Sequence, residues 1–384
     1  MRIHQFVHTL NYGDAISGEA VAIRRLLNRS GIGSEIYCVN AHEKLEDIGR
    51  PWTRFDADRQ EAEQAGEPVA VLLHYSIGSP LNTLLRSSAG ILRGLIYHNL
   101  TPVEWFAPYN SVVTANLVEG RAELPQLLQT MDLVLADSEY NERELKEFGC
   151  ADTQVLPLCL DQEKWQIGPN VGIASMLRAH GGTNVLHVGR LAPNKCLEDI
   201  IKTFYFYHHK IDRTSRLWLI GGDIDTEIYS FELRRLVSEL RLKEAVYFVG
   251  SVSDCELRAF YEAADLYLCM SEHEGFCVPL LEAMHFRVPI IAYDACAVSE
   301  TLGDAGLLVR QKEHAQIAEL MAMVREDAQL RESLLSRAGL RLERFSEAVF
   351  AENLRIRVTE PFAALAKQTH TIRNAGEVRK AGGA

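Results

Sequence analysis

Short apolar runs recur along this chain, and longer stretches with apolar positions every three or four residues follow them. The short runs read as buried strands and the longer stretches as amphipathic helices. Their alternation favours parallel α/β sheets. The strands predicted in the first half are Ile3–Val7, Glu35–Val39, Val69–Leu73, Leu95–Tyr97, Leu133–Ala136 and Thr153–Pro157. In the second half they are Asn184–Val188, Arg216–Ile220, Val246–Gly250, Leu266–Met270 and Pro289–Tyr293. Between the two series lies Asp161–Gly182, polar and glycine-bearing with Pro169, which places a domain linker near its start. The expected division is therefore 1–165, 166–346, a helical segment 347–368 and a disordered tail 369–384.

Length supports this division, because 384 residues exceed one ordinary core. With 47% hydrophobic and 24% charged residues the composition is that of a globular protein. A formal charge of -12 argues against a nucleic-acid partner, which needs a basic footprint. No apolar stretch approaches the roughly 20 residues of a spanning helix. The chain opens on a strand without a signal-like apolar region. Its eight cysteines include no CxxC pair and are expected to be buried, reduced thiols of a cytoplasmic protein.

The most informative segment runs from Ser271 to Met284. An apolar strand ends just before it, and Pro279 opens a helix predicted to reach Phe286. Glu274 then lies on the loop at the strand's C-terminal end, and Glu282 is expected in the first turn of the helix. Between them, Gly275, Phe276 and Cys277 offer backbone N–H groups to the same space. In an open α/β sheet that space is where ligands bind. Read blandly, Glu274 is a solvated loop residue and Glu282 complements the helix dipole. A second anchor lies between Val185 and Lys195, where a strand ends at Gly189 and the next loop carries Arg190 and Lys195. Arginine offers a fork of donors and lysine a point charge, a pair suited to a diphosphate.

Both segments closely resemble motifs of retaining glycosyltransferase family 4: its E-x7-E word and its Gly-Arg-Leu-x-Pro-x-Lys diphosphate loop. The run from Ala292 to Gly306 is similar to a third family stretch, with Ser299 in place of a proline. The resemblance implies the GT-B fold, two facing Rossmann-like domains with C-terminal helices packing back on the first. It implies transfer of a sugar, with retention, from a UDP- or GDP-linked donor to a hydroxyl of a glycan or lipid-linked acceptor, as in bacterial surface polysaccharides. Arg190 and Lys195 would neutralise the leaving diphosphate. Glu274, helped by the N–H groups of Gly275 to Cys277, would hold a donor-sugar hydroxyl. Glu282 would hold the ribose, and Tyr247–Ser253 would line the base pocket.

In the first half, Gly13, Asp14 and Gly18 sit in a loop from Asn11 to Glu19 that leads into a predicted helix, Ala20–Arg29. The loop is not GxGxxG, so no dinucleotide fingerprint is present. It is similar to a family loop that faces donor or acceptor, although a plain helix-capping turn satisfies it equally. His98 ends an apolar strand, where the family carries a histidine that meets the donor sugar through ring or backbone. His74 is a rival at another strand end. The D-x-D pairs Asp223/Asp225 and Asp56/Asp58 read as polar loops, so no metal or other cofactor is expected. Two alternatives share these features: a sugar-nucleotide epimerase of related fold, and a non-catalytic sugar-nucleotide-binding subunit. Arginines 24, 25, 29, 86 and 93 on helix-like segments suggest weak peripheral attachment to the inner membrane face.

Overall fold

The computed structural model describes residues 1–368, and the expected tail lies outside the described residues. Two all-parallel sheets organise the chain. The first contains β1 (Arg2–Leu10), β2 (Ile36–Ala41), β3 (Gly49–Pro51), β4 (Val69–Tyr75), β5 (Leu92–Tyr97), β6 (Leu133–Ala136) and β7 (Gln154–Val155). Its order is β3-β2-β1-β4-β5-β6-β7. The second contains β8 (Asn184–Val188), β9 (Arg216–Ile220), β10 (Val246–Gly250), β11 (Leu266–Cys269), β12 (Ile290–Tyr293) and β13 (Leu307–Val309), in the order β10-β9-β8-β11-β12-β13. Strand order reverses between β1 and β4 in one sheet and between β8 and β11 in the other. A ligand crevice lies outside the carboxyl ends of strands at such a reversal.

The chain forms two compact units. One comprises Met1–Leu100, Asn116–Cys159 and the C-terminal segment from Ala348; the other comprises Thr101–Ala115 and Leu160–Glu347. This departs from the expected boundaries in two places. Residues 101–115 belong with the second unit: the Tyr109 ring meets Tyr229 edge-on with centroids 5.4 Å apart, and Asn110 Nδ2 donates to the Asp225 carbonyl at 3.1 Å. Residues 160–165, expected in the first domain, also belong there. The Leu160 N–H donates to the Phe345 carbonyl at 3.0 Å, and Trp165 is buried against Tyr261 and Phe286.

In the first unit, β4 is buried along its whole length, as its unbroken apolar run requires. Its core joins Ile3, Leu72, Ile96 and Leu135 from the strands to Phe350, Leu354, Val358 and Phe362 from the C-terminal helices. Gly94 on β5 makes room for this packing. A β-carbon there would stand 2.7 Å from Leu72 and 2.8 Å from the Phe362 ring. The second core gathers Val185, Leu217, Leu219, Leu266, Leu268 and Ile291 beneath Ile200, Phe204 and Met321. All eight cysteines are free thiols; Cys38, Cys196, Cys269 and Cys277 are buried and the other four are half-buried rather than fully enclosed. Among the described residues no helix is long and apolar enough to cross a membrane.

Three adjacent strands of the second sheet end in glycine: Gly189 after β8, Gly221 after β9 and Gly250 closing β10. The Gly189 N–H donates to the Ile220 carbonyl at 2.8 Å, and the Gly221 N–H to the Gly250 carbonyl at 3.0 Å. Gly221 has φ +145, and a β-carbon on it would fall 2.0 Å from the Gly189 carbonyl oxygen. Backbone rather than a flexible side chain blocks that space. We expect Gly221→Ala to cost about 2–4 kcal/mol through strain and displaced backbone. Urea unfolding of the variant measures this, and an unchanged midpoint would remove the close approach as a constraint.

Candidate functional site

The loop after β8 turns sharply through a single 3-10 turn, Pro193–Lys195, and a left-handed Cys196 before the helix Leu197–Lys210 begins. This turn directs Lys195 inward. Its Nζ lies 2.6 and 2.7 Å from the two Glu274 oxygens on the loop after β11. Burial alone would lower the Lys195 pKa, but the Glu274 carboxylate more than reverses this and the net shift is upward. Asn194, which the sequence reading did not single out, ties the two loops together. Its carbonyl accepts from Glu272 N–H at 3.0 Å and its Nδ2 donates to the His273 carbonyl at 2.9 Å. Arg190, on the same loop, is exposed, and its guanidinium stands 5.4 Å from the centre of the buried Phe106 ring.

Beyond Glu274, the chain passes Gly275 and Phe276 to Cys277, which is left-handed (φ 75) at the N-cap of the helix Val278–His285. Among the described residues, none of these three N–H groups donates to a backbone carbonyl. Glu282 is the fifth residue of this helix, in its second turn rather than the first, so the dipole at the helix start does not account for it. It is buried, and its oxygens are held separately. Lys164 Nζ donates to Oε1 at 3.0 Å and the Tyr261 hydroxyl to Oε2 at 2.8 Å. Neither partner was legible in the sequence, where Lys164 lies in a supposed linker.

The first unit carries its own cluster. The helix after β1 starts at Ala15 rather than Ala20, because Asp14 caps it: one carboxylate oxygen accepts from Ser17 N–H and Oγ, both at 3.0 Å. The capping turn allowed by the sequence is thus present. Gly13 (φ +80) and Gly18 are exposed, and a β-carbon at either would meet nothing within 4 Å. The earlier helix start also places Glu19 inside. It is buried, and neither of its oxygens has a hydrogen-bond partner among the described residues.

Glu19 faces His98 and His74, the two strand-end histidines, which prove to be one unit. Gln5 Nε2 donates to the Ala20 carbonyl at 2.9 Å, so its oxygen faces His74 Nε2, also at 2.9 Å. That arrangement fixes the His74 proton on Nε2 and leaves Nδ1 to accept from His98 Nε2–H at 2.9 Å. His98 Nδ1 faces Asp137 at 3.3 Å, so His98 carries a proton on both nitrogens. The parallel rings, with centroids 5.1 Å apart, therefore lie edge to edge with a proton between their nitrogens. One ligand atom from each of Glu19, His74 and His98 also lies within reach of a single ion. Burial depresses the His74 pKa strongly. It opposes the His98 charge too, but Asp137 and Glu19 override it and the His98 pKa rises. The His98 side chain is 2% exposed, so its ring is enclosed.

Of the two D-x-D pairs, Asp223/Asp225 lies in a loop as expected, whereas Asp56/Asp58 lies in the first turn of the helix Phe55–Gln64 rather than in a loop. Asp225 is left-handed (φ 65) in a turn, with its N–H donating to Glu227 at 3.1 Å. Asp58 accepts from Tyr37 at 2.7 Å and Arg50 at 2.9 Å.

Residues 175–340 match the family model for Glycosyl transferases group 1. The O-antigen chain mannosyltransferase B of Escherichia coli is 26% identical over 163 residues, 42% of each chain. The GDP-mannose:cellobiosyl-diphosphopolyprenol alpha-mannosyltransferase of Xanthomonas oryzae pv. oryzae is 31% identical over 112 residues, 29% of each. The chain thus spans less than half the length of these curated relatives. In structure it is similar to sucrose-phosphate synthase from Thermosynechococcus elongatus, with a TM-score of 0.73 over 94% of this chain and 99% of that one. At 18% identity this is a likeness of fold, the two-domain GT-B type.

The histidine cluster sets a pH dependence. Burial raises the Glu19 pKa to about 7, so the folded chain keeps a proton that the unfolded chain releases above about 4.5. Stability from this group is therefore fully present below pH 4.5 and declines as pH rises to 7. The raised His98 pKa acts in the same direction, its contribution being lost as pH rises through the folded value. We expect Glu19→Gln to remove up to about 3 kcal/mol of this decline. Melting temperatures of both proteins from pH 5 to 8 check it; parallel curves would clear Glu19 of the effect.

Proposed function

From the glycosyl transferases group 1 domain in its second unit, we propose that this chain is a metal-independent, retaining glycosyltransferase. It moves a hexosyl group from a UDP- or GDP-linked donor to a hydroxyl of a glycan or lipid-linked acceptor. The observation that carries this reading is the Lys195–Glu274 pair at the sheet's order reversal, with Arg190 on the same loop. A lysine ammonium has three donors, and Glu274 takes two of them. The third, with the Arg190 fork, serves the leaving diphosphate. Glu274 and the N–H groups of Gly275, Phe276 and Cys277 hold a donor-sugar hydroxyl. Glu282 takes the ribose hydroxyls. In the first unit, the exposed Gly13, Asp14 and Gly18 surface and the main chain at His98 meet sugar.

Two fixed cations do the work that a divalent ion on the diphosphate would otherwise do, because charge aimed at the leaving group lowers the barrier. Retention needs no side-chain nucleophile if the acceptor enters on the face the diphosphate leaves, with a diphosphate oxygen taking the acceptor's proton. Both curated relatives described above are mannosyltransferases by name, which makes GDP-mannose the first donor to test.

Turnover of Arg190→Ala and Lys195→Ala should fall by roughly 10²–10³, the usual loss when one such donor is removed. Calorimetry with UDP and GDP should show weaker binding in Glu282→Gln and an affinity for wild type that is the same with magnesium as with chelator. Near-wild-type turnover in both cation variants would sink the diphosphate assignment, and a magnesium-dependent affinity would sink the metal-independent one.

A lipid-linked acceptor would bring the chain to a membrane surface, where each cation contributes about 1 kcal/mol. Arg24 and Arg93, among the candidate arginines, are engaged within the first unit. Arg24 pairs with Glu35 at 3.1 Å, and Arg93 donates to the Leu85 and Ser88 carbonyls at 2.9 and 2.6 Å. The attachment we propose is therefore weak, reversible and lost at high salt. Co-sedimentation with anionic vesicles measures it, and no binding at low salt would point to a soluble acceptor.

A further inference from the structure

The segment after the first unit does more than connect. It ends in the 3-10 turn Lys164–Gln166, fixed by two contacts to the helix Asp254–Ala263 and its neighbour. The buried Trp165 ring packs edge-on against Phe286 and Tyr261, with centroids 4.9 and 6.0 Å away. Arg258 then donates to both the Trp165 and Ile167 carbonyls, at 2.6 and 2.8 Å. A turn held by an aromatic plug and a double carbonyl clamp delivers its one cation to a fixed place.

That place is Glu282. The Lys164 ammonium lies 3.0 Å from one carboxylate oxygen, whereas the Asp254 carboxylate is further away at 3.7 Å. With the Tyr261 hydroxyl on the second oxygen, the carboxylate cannot rotate without breaking a charge-assisted bond. Yet a carboxylate accepts about four hydrogen bonds, so each oxygen keeps capacity for a ligand hydroxyl.

We propose that Lys164 is a positioning residue of the donor site, holding Glu282 as a carboxylate in the one orientation that presents both oxygens to the ribose. This rests on the ribose role given to Glu282 above. The chemical reason is specific. A buried carboxyl group with no cation beside it prefers its proton, and a protonated acid donates where ribose hydroxyls need an acceptor. The ionisable groups around this carboxylate are Lys164 and Asp161 on the 160s segment, and Asp254, Arg258 and Tyr261 on the neighbouring helix. Cys277 and His285 stand at the two ends of its own helix. Of these, Lys164 is the cation in direct contact with it.

The test is calorimetry of the full chain with UDP and GDP between pH 6 and 9. Wild type should bind with a flat profile. In Lys164→Met and Lys164→Gln, binding should weaken about tenfold or more at pH 6 and recover as pH rises. Lys164→Arg should restore the flat profile. Two variants guard against a failure to fold, and each is first checked for a cooperative thermal transition. Wild-type affinity in both neutral variants at every pH would overturn the proposal. So would a loss that is equal at every pH, since that describes a merely structural lysine. Glu282→Gln separates the two levels. If it binds normally, the ribose assignment fails and this inference with it. If it binds weakly while Lys164→Met binds normally, only the inference fails.

Discussion

The contact on which the second unit's site depends is the ion pair between Lys195 and Glu274. It joins the loops after β8 and β11, the two strands between which chain order reverses. Without it, each loop would carry a desolvated charge of its own. With it, the two loops form one rigid rim, reinforced by Asn194 bonding across to residues 272 and 273. The glycine-ended strands beside it matter for the same reason. Gly189 and Gly221 let two strand ends close to backbone contact, which fixes where the Lys195 loop departs. Position is set by backbone packing, and the charges then take the only arrangement that neutralises them.

The same logic recurs away from that rim. Glu19, Asp137, Glu274 and Glu282 are buried carboxylates near the ends of parallel strands or on the helices that follow them. Each faces a cation or a shared proton, namely His98 for the first two, Lys195 for the third and Lys164 for the fourth. Burying a carboxylate is tolerable only with such a partner, and the partner then fixes its rotamer. Rigid placement of charge is thus a result of desolvation rather than an addition to it.

How far the sequence disclosed this varies with range. The runs Leu133–Ala136, Asn184–Val188, Arg216–Ile220 and Val246–Gly250 became strands with the predicted ends, because strands of a parallel sheet covered on both faces are largely apolar. Gly49–Pro51 and Leu307–Val309 went unpredicted, each being too short to show a pattern. Lys195 and Glu274 were visible because both lie on loops at strand ends, where chemistry collects. Glu19 was placed in a loop because the capping action of Asp14 was read as one option rather than as the helix start. Lys164 could not be found at all. Its partner lies 118 residues away, and only the packing of Trp165 brings the two together.

One feature of the chain's route bears on the order in which the molecule is made. The path leaves the first unit after Leu100, returns at Asn116, leaves again after Cys159 and returns at Ala348. The first core is closed by Phe350, Leu354, Val358 and Phe362, nearly the last of the described residues to be synthesised. All residues of the second unit have been made before these four. On the ribosome, therefore, the unit that begins first is completed last, and its sheet waits with an uncovered apolar face while its partner folds. Chaperone demand during synthesis should fall on the N-terminal sheet, although its strands are the first to emerge.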